Sequence, residues 1–291
     1  MPELPEVETV RQGLSELIIG KTVASTLDDT PKSFPNTVAD VNQFLIGAEI
    51  AAVRRRAKVL MIDFSTDYSL VIHLKMTGQL VYIDKDARFG AGHPNDSLVN
   101  ALPDKSTRVT IEFNDSSQLF FNDQRKFGWV KLMPTAEIPN LPFMKKVGPE
   151  PLELDFTAKQ FADRFTRRKK TSIKAAILDQ SVVAGVGNIY ADESLWGAKI
   201  HPKRLVETIK PAEFKKLYTE LREVMNLSIE KGGSSNRNYV NAEGKKGSYM
   251  DFARVFRREG LPCPRCGTTI EKLRVAGRGT HICPHCQVST V

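Results

Sequence analysis

Cys263-Pro-Arg-Cys266-Gly-Thr-Thr-Ile-Glu-Lys-Leu-Arg-Val-Ala-Gly277-Arg278-Gly-Thr-His-Ile-Cys283-Pro-His-Cys286 contains all four cysteines of this 291-residue chain. Two Cys-x-x-Cys pairs with sixteen residues between them are spaced to set four thiolates around one zinc ion at ~2.3 Å, with a β-hairpin joining the pairs. Two disulfides are the plainer alternative, which a reducing compartment disfavours; redox pairs rarely come as a matched doublet. A four-thiolate shell leaves no open position for water, so one zinc is expected and it is structural rather than catalytic. No catalytic metal and no organic cofactor is expected beside it. His281 and His285 are then expected to be bystanders. The hairpin carries Lys272, Arg274 and Arg278, with Gly277 and Gly279 flanking the last. This basic tip on a bendable backbone reads as a phosphate-touching element.

Upstream, the polar and glycine-rich run 232–247 lacks periodicity over a length at which loops are usually functional or disordered. Before it, 157–231 is helical in pattern: Thr157 and Thr171 are N-cap candidates, Pro211 sits near a helix start, and Phe214, Leu217, Leu221, Val224 and Met225 form one apolar stripe. Five prolines between 133 and 154 mark a linker. From 21 to 134, short alternating runs such as Tyr68-Ser-Leu-Val-Ile-His-Leu-Lys75 and Arg108-Val-Thr-Ile-Glu-Phe113 predict strands of a β-sandwich or barrel. One helix is predicted over 6–19, where Val7, Val10, Leu14 and Leu17 recur at helical spacing. The expected class is α+β. Its expected parts are an N-terminal β-domain (1–134), a linker (135–154), a helical domain (155–231), a loop and connector (232–260) and a zinc module (261–291).

With 41% hydrophobic and 26% charged residues, the chain can bury real cores, which excludes a disordered regulator and a collagen-like chain; its length suits about two domains. Lys+Arg 42 against Asp+Glu 34 leaves +8. The excess is uneven: 18 basic and 22 acidic residues precede Arg164, against 24 and 12 from it onward. That asymmetry points to a polyanion-binding face in the C-terminal half, the plainer reading being a solvated Lys/Arg surface. No run of 18 apolar residues exists, so no membrane span is predicted. The acidic opening is unlike a secretory or mitochondrial leader, and a cytoplasmic location is expected.

Pro2 follows the initiator Met1, and a small second residue is what methionine removal needs. The exposed secondary amine would have a pKa near the ~7.7–8 of α-amino groups. Unprotonated, it can attack an electrophilic carbon and form an iminium, with Glu3 beside it to exchange protons and Glu6 one helical turn on. Taken alone, Pro2 is more often a mere processing signal.

The opening Pro2-Glu-Leu-Pro-Glu-Val-Glu-Thr9 resembles that of the formamidopyrimidine-DNA glycosylases. Later motifs agree in order: His73-Leu-Lys-Met76-Thr-Gly78, Asn122-Asp-Gln-Arg125-Lys-Phe127-Gly128, Lys174 followed by Gly185-Val-Gly-Asn188-Ile-Tyr-Ala-Asp-Glu193, and Gly277-Arg278-Gly-Thr-His-Ile-Cys283. They span nearly the whole chain. The resemblance implies a two-domain clamp: an N-terminal β-sandwich, then a helix–two-turn–helix domain with a β-hairpin zinc finger, gripping damaged double-stranded DNA. It implies a monomeric bacterial enzyme, associated with the nucleoid through DNA, that removes 8-oxoguanine and formamidopyrimidines and then cuts the strand by β- and δ-elimination.

By that resemblance Pro2 is the nucleophile and Glu3 its proton partner, and Lys58 and Arg278 join them at the catalytic phosphates. His73 and Asn188 contact backbone, Lys174 lies near the lesion, and Met76, Arg125 and Phe127 fill the space that a flipped nucleotide leaves. Two departures stand out. Phe256 replaces a common phosphate-binding tyrosine, with Arg257 as a possible substitute, and Thr77 stands where some relatives carry glutamate. The 232–247 run resembles the segment that closes over 8-oxoguanine. The rival readings are an endonuclease VIII-like glycosylase for oxidised pyrimidines and a non-enzymatic zinc-dependent DNA-binding protein. Leu4 and the Arg125/Phe127 pair favour the purine branch.

Overall fold

The computed structural model describes residues 1–234 and 248–289, which divide into two units: 1–145 with 231–234 and 248, and 146–230 with 249–289.

The first unit opens with helix α1 (Leu4–Ile18), two residues earlier than the apolar spacing suggests. Pro5 tolerates the first turn, where no backbone N–H is needed, and the Glu6 carboxylate accepts the Glu3 N–H at 2.7 Å. Strand β1 (Val23–Asp28) follows, then a short helix α2 (Val38–Asp40) capped by Thr37. Next come β2 (Ile50–Arg56), β3 (Val59–Phe64), β4 (Tyr68–His73), β5 (Gly78–Ile83), β6 (Arg88–Gly92), β7 (Thr107–Phe113), β8 (Gln118–Asp123) and β9 (Trp129–Pro134). They form two antiparallel sheets, ordered β1-β7-β8-β5-β6 and β2-β3-β4-β9. The alternation left sandwich and barrel open, and the two separate sheets decide for a sandwich. Its core runs from Val7, Val10, Leu14 and Ile18 of α1 through Leu60, Ile62, Leu70, Ile72, Leu80, Val109 and Phe121.

The proline-rich stretch is more than a tether. It holds a 3₁₀ turn (Thr135–Asn140) and helix α3 (Pro142–Lys146). Ile138, Leu141, Phe143 and Met144 cover Val59, Met61, Val71 and Met133 on the outer face of the second sheet. That cover explains why β3 and β4 read as continuous apolar runs rather than strict alternation.

The second unit contains α4 (Ala158–Arg164), α5 (Ile173–Leu178), α6 (Asn188–Gly197) and α7 (Pro211–Glu230). Thr157 caps α4 as expected, in a reciprocal box with Gln160. Ser172, rather than the expected Thr171, caps α5. The stripe on α7 is buried at Phe214, Leu217, Leu221, Val224 and Met225. A hairpin of β10 (Glu271–Val275) and β11 (Arg278–Ile282) completes the unit. Ala276 and Gly277, its two turn residues, both have positive φ, the pairing a tight two-residue hairpin requires.

Candidate active site

In the first unit, Pro2, Glu3 and Glu6 are buried at the start of α1. Glu6 fastens this end twice: one carboxylate oxygen accepts the Glu3 N–H at 2.7 Å and the other accepts the Ser234 N–H at 2.8 Å. Gly233, at φ +86°, lies against Glu6, and a Cβ there would stand 3.3 Å from its Cγ. The backbone beside the candidate nucleophile is therefore held by the residue one turn along the helix. Most of the 232–247 run, residues 235–247, lies outside the described residues.

Lys58 occupies the turn between β2 and β3, and His73 ends β4, where the pairing of Val59 with His73 brings them near each other. Lys58 is 7% exposed. Burial, reinforced by the charges of Lys75 and Lys58, pushes the His73 imidazole down to about 3, so the ring is neutral at neutral pH. Its Nδ1 accepts the Lys75 N–H at 3.0 Å. The proton consequently sits on Nε2, which leaves a neutral hydrogen-bond donor rather than a cation.

Met76 and Phe127 are 38% and 45% exposed, and Arg125 is exposed with its guanidinium 5.0 Å from the Phe127 ring centre. Lys32 stands over the same ring at 5.5 Å. Apolar groups held in water beside cations suit a wedge into a base stack. The glycines that follow are required by close approach: a Cβ on Gly78 would meet the Leu74 carbonyl oxygen at 2.3 Å, and one on Gly128 would meet the Phe121 ring at 2.7 Å.

In the second unit, Asn188 begins α6 and donates from Nδ2 to the Gly279 carbonyl at 2.9 Å, placing it beside the hairpin turn from which Arg278 projects into solvent. Lys174, expected near the lesion, is the most enclosed of the candidate DNA-binding residues. It has no exposed surface, and its ammonium is used on Asp192 Oδ1 at 2.6 Å, Thr280 Oγ1 at 2.7 Å and the Gly279 carbonyl at 3.3 Å. So enclosed, the ammonium presents no surface to solvent. It joins α5 to α6 and to the hairpin. His281 and His285 stand outside the cysteine cluster, as expected, and His281 has a structural contact: Asp192 Oδ2 accepts its backbone N–H at 2.9 Å and lies 3.2 Å from its Nδ1. No pattern in the sequence announces Asp192, whose partners lie 18 and 89 residues away.

The ligand atoms of Cys263, Cys266, Cys283 and Cys286 lie within 4.8 Å of one another, compatible with the ~3.8 Å edge of a zinc–thiolate tetrahedron. These thiolates form a structural zinc site. Around it pack Trp196, Val255 and Ile270. Arg265 lies 3.9 Å from the Trp196 ring centre and donates to the Trp196 carbonyl at 3.1 Å. Phe256 packs edge-on against His281, with centroids 5.1 Å apart, and its N–H goes to Glu193. Arg257, in the left-handed region at φ +57°, is exposed beside it.

Family models match in chain order: the formamidopyrimidine-DNA glycosylase N-terminal domain over residues 1–130, the formamidopyrimidine-DNA glycosylase H2TH domain over 147–239, and the zinc finger found in FPG and IleRS over 260–288. The chain is 42% identical over 288 residues to the formamidopyrimidine-DNA glycosylase of Pediococcus pentosaceus, covering 99% of both. It is similar, at 35% identity and a TM-score of 0.86, to a Lactococcus lactis FPG mutant solved with Fapy-dG containing DNA, covering 99% of this chain and 100% of that one. The same identity, a TM-score of 0.85 and equal coverage relate it to MutM in complex with carbocyclic 8-oxo-G containing DNA.

Proposed function

The chain belongs to the formamidopyrimidine-DNA glycosylase family, and from that footing we propose that it excises oxidised purines, 8-oxoguanine and formamidopyrimidines, from duplex DNA and cleaves the strand as a lyase. The observation that carries the reading is the N-terminus, where Pro2 and Glu3 are buried at the head of α1 and Glu6 fixes the backbone between them and the helix.

Removal of Met1 makes the Pro2 nitrogen a secondary amine, partly unprotonated near pH 7 because α-amino groups titrate at ~7.7–8. The anomeric carbon is unreachable within a stack, so the damaged nucleotide is flipped out first. The amine attacks that carbon, and the bond to the base breaks with the electron pair leaving on the base. Glu3 protonates the sugar ring oxygen, and the ring opens to an iminium. The iminium acidifies neighbouring C–H bonds, and successive proton losses expel the phosphates on both sides of the lesion.

Lys58, His73, Asn188 and Arg278 hold backbone phosphates. Met76, Arg125 and Phe127 occupy the vacated stack, Arg125 offering donors to the widowed base. Lys174 acts by positioning. The zinc, when bound, cross-links the hairpin and takes no part in bond breaking. No helix among the described residues is long and apolar enough to cross a membrane. A monomer working on nucleoid DNA in the cytoplasm suits this chemistry.

Borohydride reduction in the presence of an 8-oxoguanine duplex is expected to trap a covalent complex, formed by protein whose intact mass lacks Met1. P2G should trap far less yet still bind the duplex. Binding by the wild type without any adduct would leave a zinc-dependent DNA-binding protein. Preferential excision of thymine glycol would move the chain to the endonuclease VIII-like group.

A further inference from the structure

Two turns present the three side chains assigned to the vacated stack, one carrying Met76 and the other Arg125 and Phe127. We propose that Asp123 is the positioning residue that locks these turns into one wedge. The inference rests on that assignment of Met76, Arg125 and Phe127.

Asp123 ends β8 opposite Gly78 of β5 and has no exposed surface. Its main chain is pinned at both sides: the N–H donates to the Ser106 carbonyl at 2.8 Å, and the carbonyl accepts from Arg108 Nε at 2.8 Å. The carboxylate then collects four donors. Oδ1 accepts the Thr77 hydroxyl and the Arg125 N–H at 3.1 Å; Oδ2 accepts the Phe127 N–H at 2.8 Å and the Gly128 N–H at 2.6 Å. The Thr77 hydroxyl is also 3.1 Å from the Arg125 N–H, so Thr77 and Asp123 together join the residue after Met76 to the backbone of Arg125 and Phe127.

An aspartate that bonds the N–H two residues on is a common turn device. Here the same carboxylate continues to the fourth and fifth residues and crosses to a second turn 46 positions away, which a local turn does not need. The backbone it holds is also costly. Lys75 and Lys126, each next to a wedge residue, have φ +51° and +54°, a left-handed conformation that is unfavourable for a side chain with Cβ. Charge-assisted bonds to a buried carboxylate offset that cost. Without them, Met76 and Phe127 would remain exposed but no longer at a fixed separation. Thr77 therefore has a structural occupation, and its hydroxyl is turned to Asp123.

The test uses full-length, zinc-loaded protein. Single-turnover excision of 8-oxoguanine opposite cytosine is compared with borohydride trapping on a single-stranded abasic oligonucleotide, which has no partner base and no stack to fill. T77V and D123N should slow the duplex reaction by about tenfold or more, as misplaced positioning groups do, while trapping on the single strand stays near wild type. T77S, which keeps the hydroxyl, should restore the duplex rate. Equal losses on both substrates, or an unchanged duplex rate in T77V, would overturn the proposal; if D123N fails to fold, the Thr77 pair decides. F127A separates the two layers. An unchanged duplex rate in F127A removes the wedge assignment itself, whereas a slowed F127A beside unaffected T77V and D123N removes only the role of Asp123.

Discussion

At the scale of single residues, His73 shows how a histidine acquires a fixed state. In sequence it is one member of an alternating strand, where surface exposure is the ordinary outcome. Burial and the nearby Lys58 and Lys75 hold its pKa at about 3 against an ordinary 6.5. Between those values the unfolded chain carries a proton that the folded chain does not, so stability rises with pH through that window and the gain is complete above it. Relative to H73Q, the wild type should lose up to ~1.4 kcal/mol per pH unit, the worth of one proton, as pH falls from 6 to 4. Urea unfolding of both proteins, followed at Trp129 whose ring lies 6.0 Å from the imidazole, measures the difference. Parallel profiles would mean that His73 takes up its proton in the folded state.

At the scale of elements, helix α6 organises the second unit from within. Every residue from Tyr190 to Gly197 is buried, so it has no polar face and gives no amphipathic signal. Its adjacent carboxylates hold different neighbours: Asp192 takes Lys174 and His281, while Glu193 accepts the N–H groups of Arg254, Val255 and Phe256 and the Tyr249 hydroxyl. Burial still pushes the Glu193 carboxyl up. Breaking a buried ion pair from one side leaves a lone charge and typically costs ~3–5 kcal/mol, whereas replacing both partners by apolar groups costs far less. D192L and K174M should each destabilise the second unit by that order, and the double variant by less than either. Urea unfolding in a W129F background, where Trp196 is the remaining tryptophan, reads this directly. Additive losses would show that the two charges do not depend on each other.

At the scale of the whole molecule, the residues proposed for the chemistry fall in two units, with Pro2, Glu3, Lys58, His73, Met76, Arg125 and Phe127 in one and Asn188, Arg278 and the zinc hairpin in the other. Chelating the zinc should abolish duplex binding and shift the fluorescence of Trp196, which packs on the cysteine cluster, while Trp129 in the first unit keeps its native emission. Undiminished binding by metal-free protein would make the hairpin dispensable. What the sequence determined by itself was whatever is written at short range: the Cys-x-x-Cys pairs, the stripe on α7, the strand alternation, and a proline directly after Met1. The stripe and the alternation are legible because spacing along one element sets which side chains share a face; the cysteine pairs and Pro2 are legible because ligand spacing and chain position are local. Tertiary structure alone decided which charges are available and which are spent. Lys174 and Arg278 read alike as basic residues, yet Lys174 is enclosed by partners 18 and 106 positions away while Arg278 faces solvent. Asp123 and Asp192 likewise meet their donors only after strands and helices pair. Burying a charge is tolerable only where distant groups converge to satisfy it, and that convergence belongs to the fold rather than to any local stretch of chain.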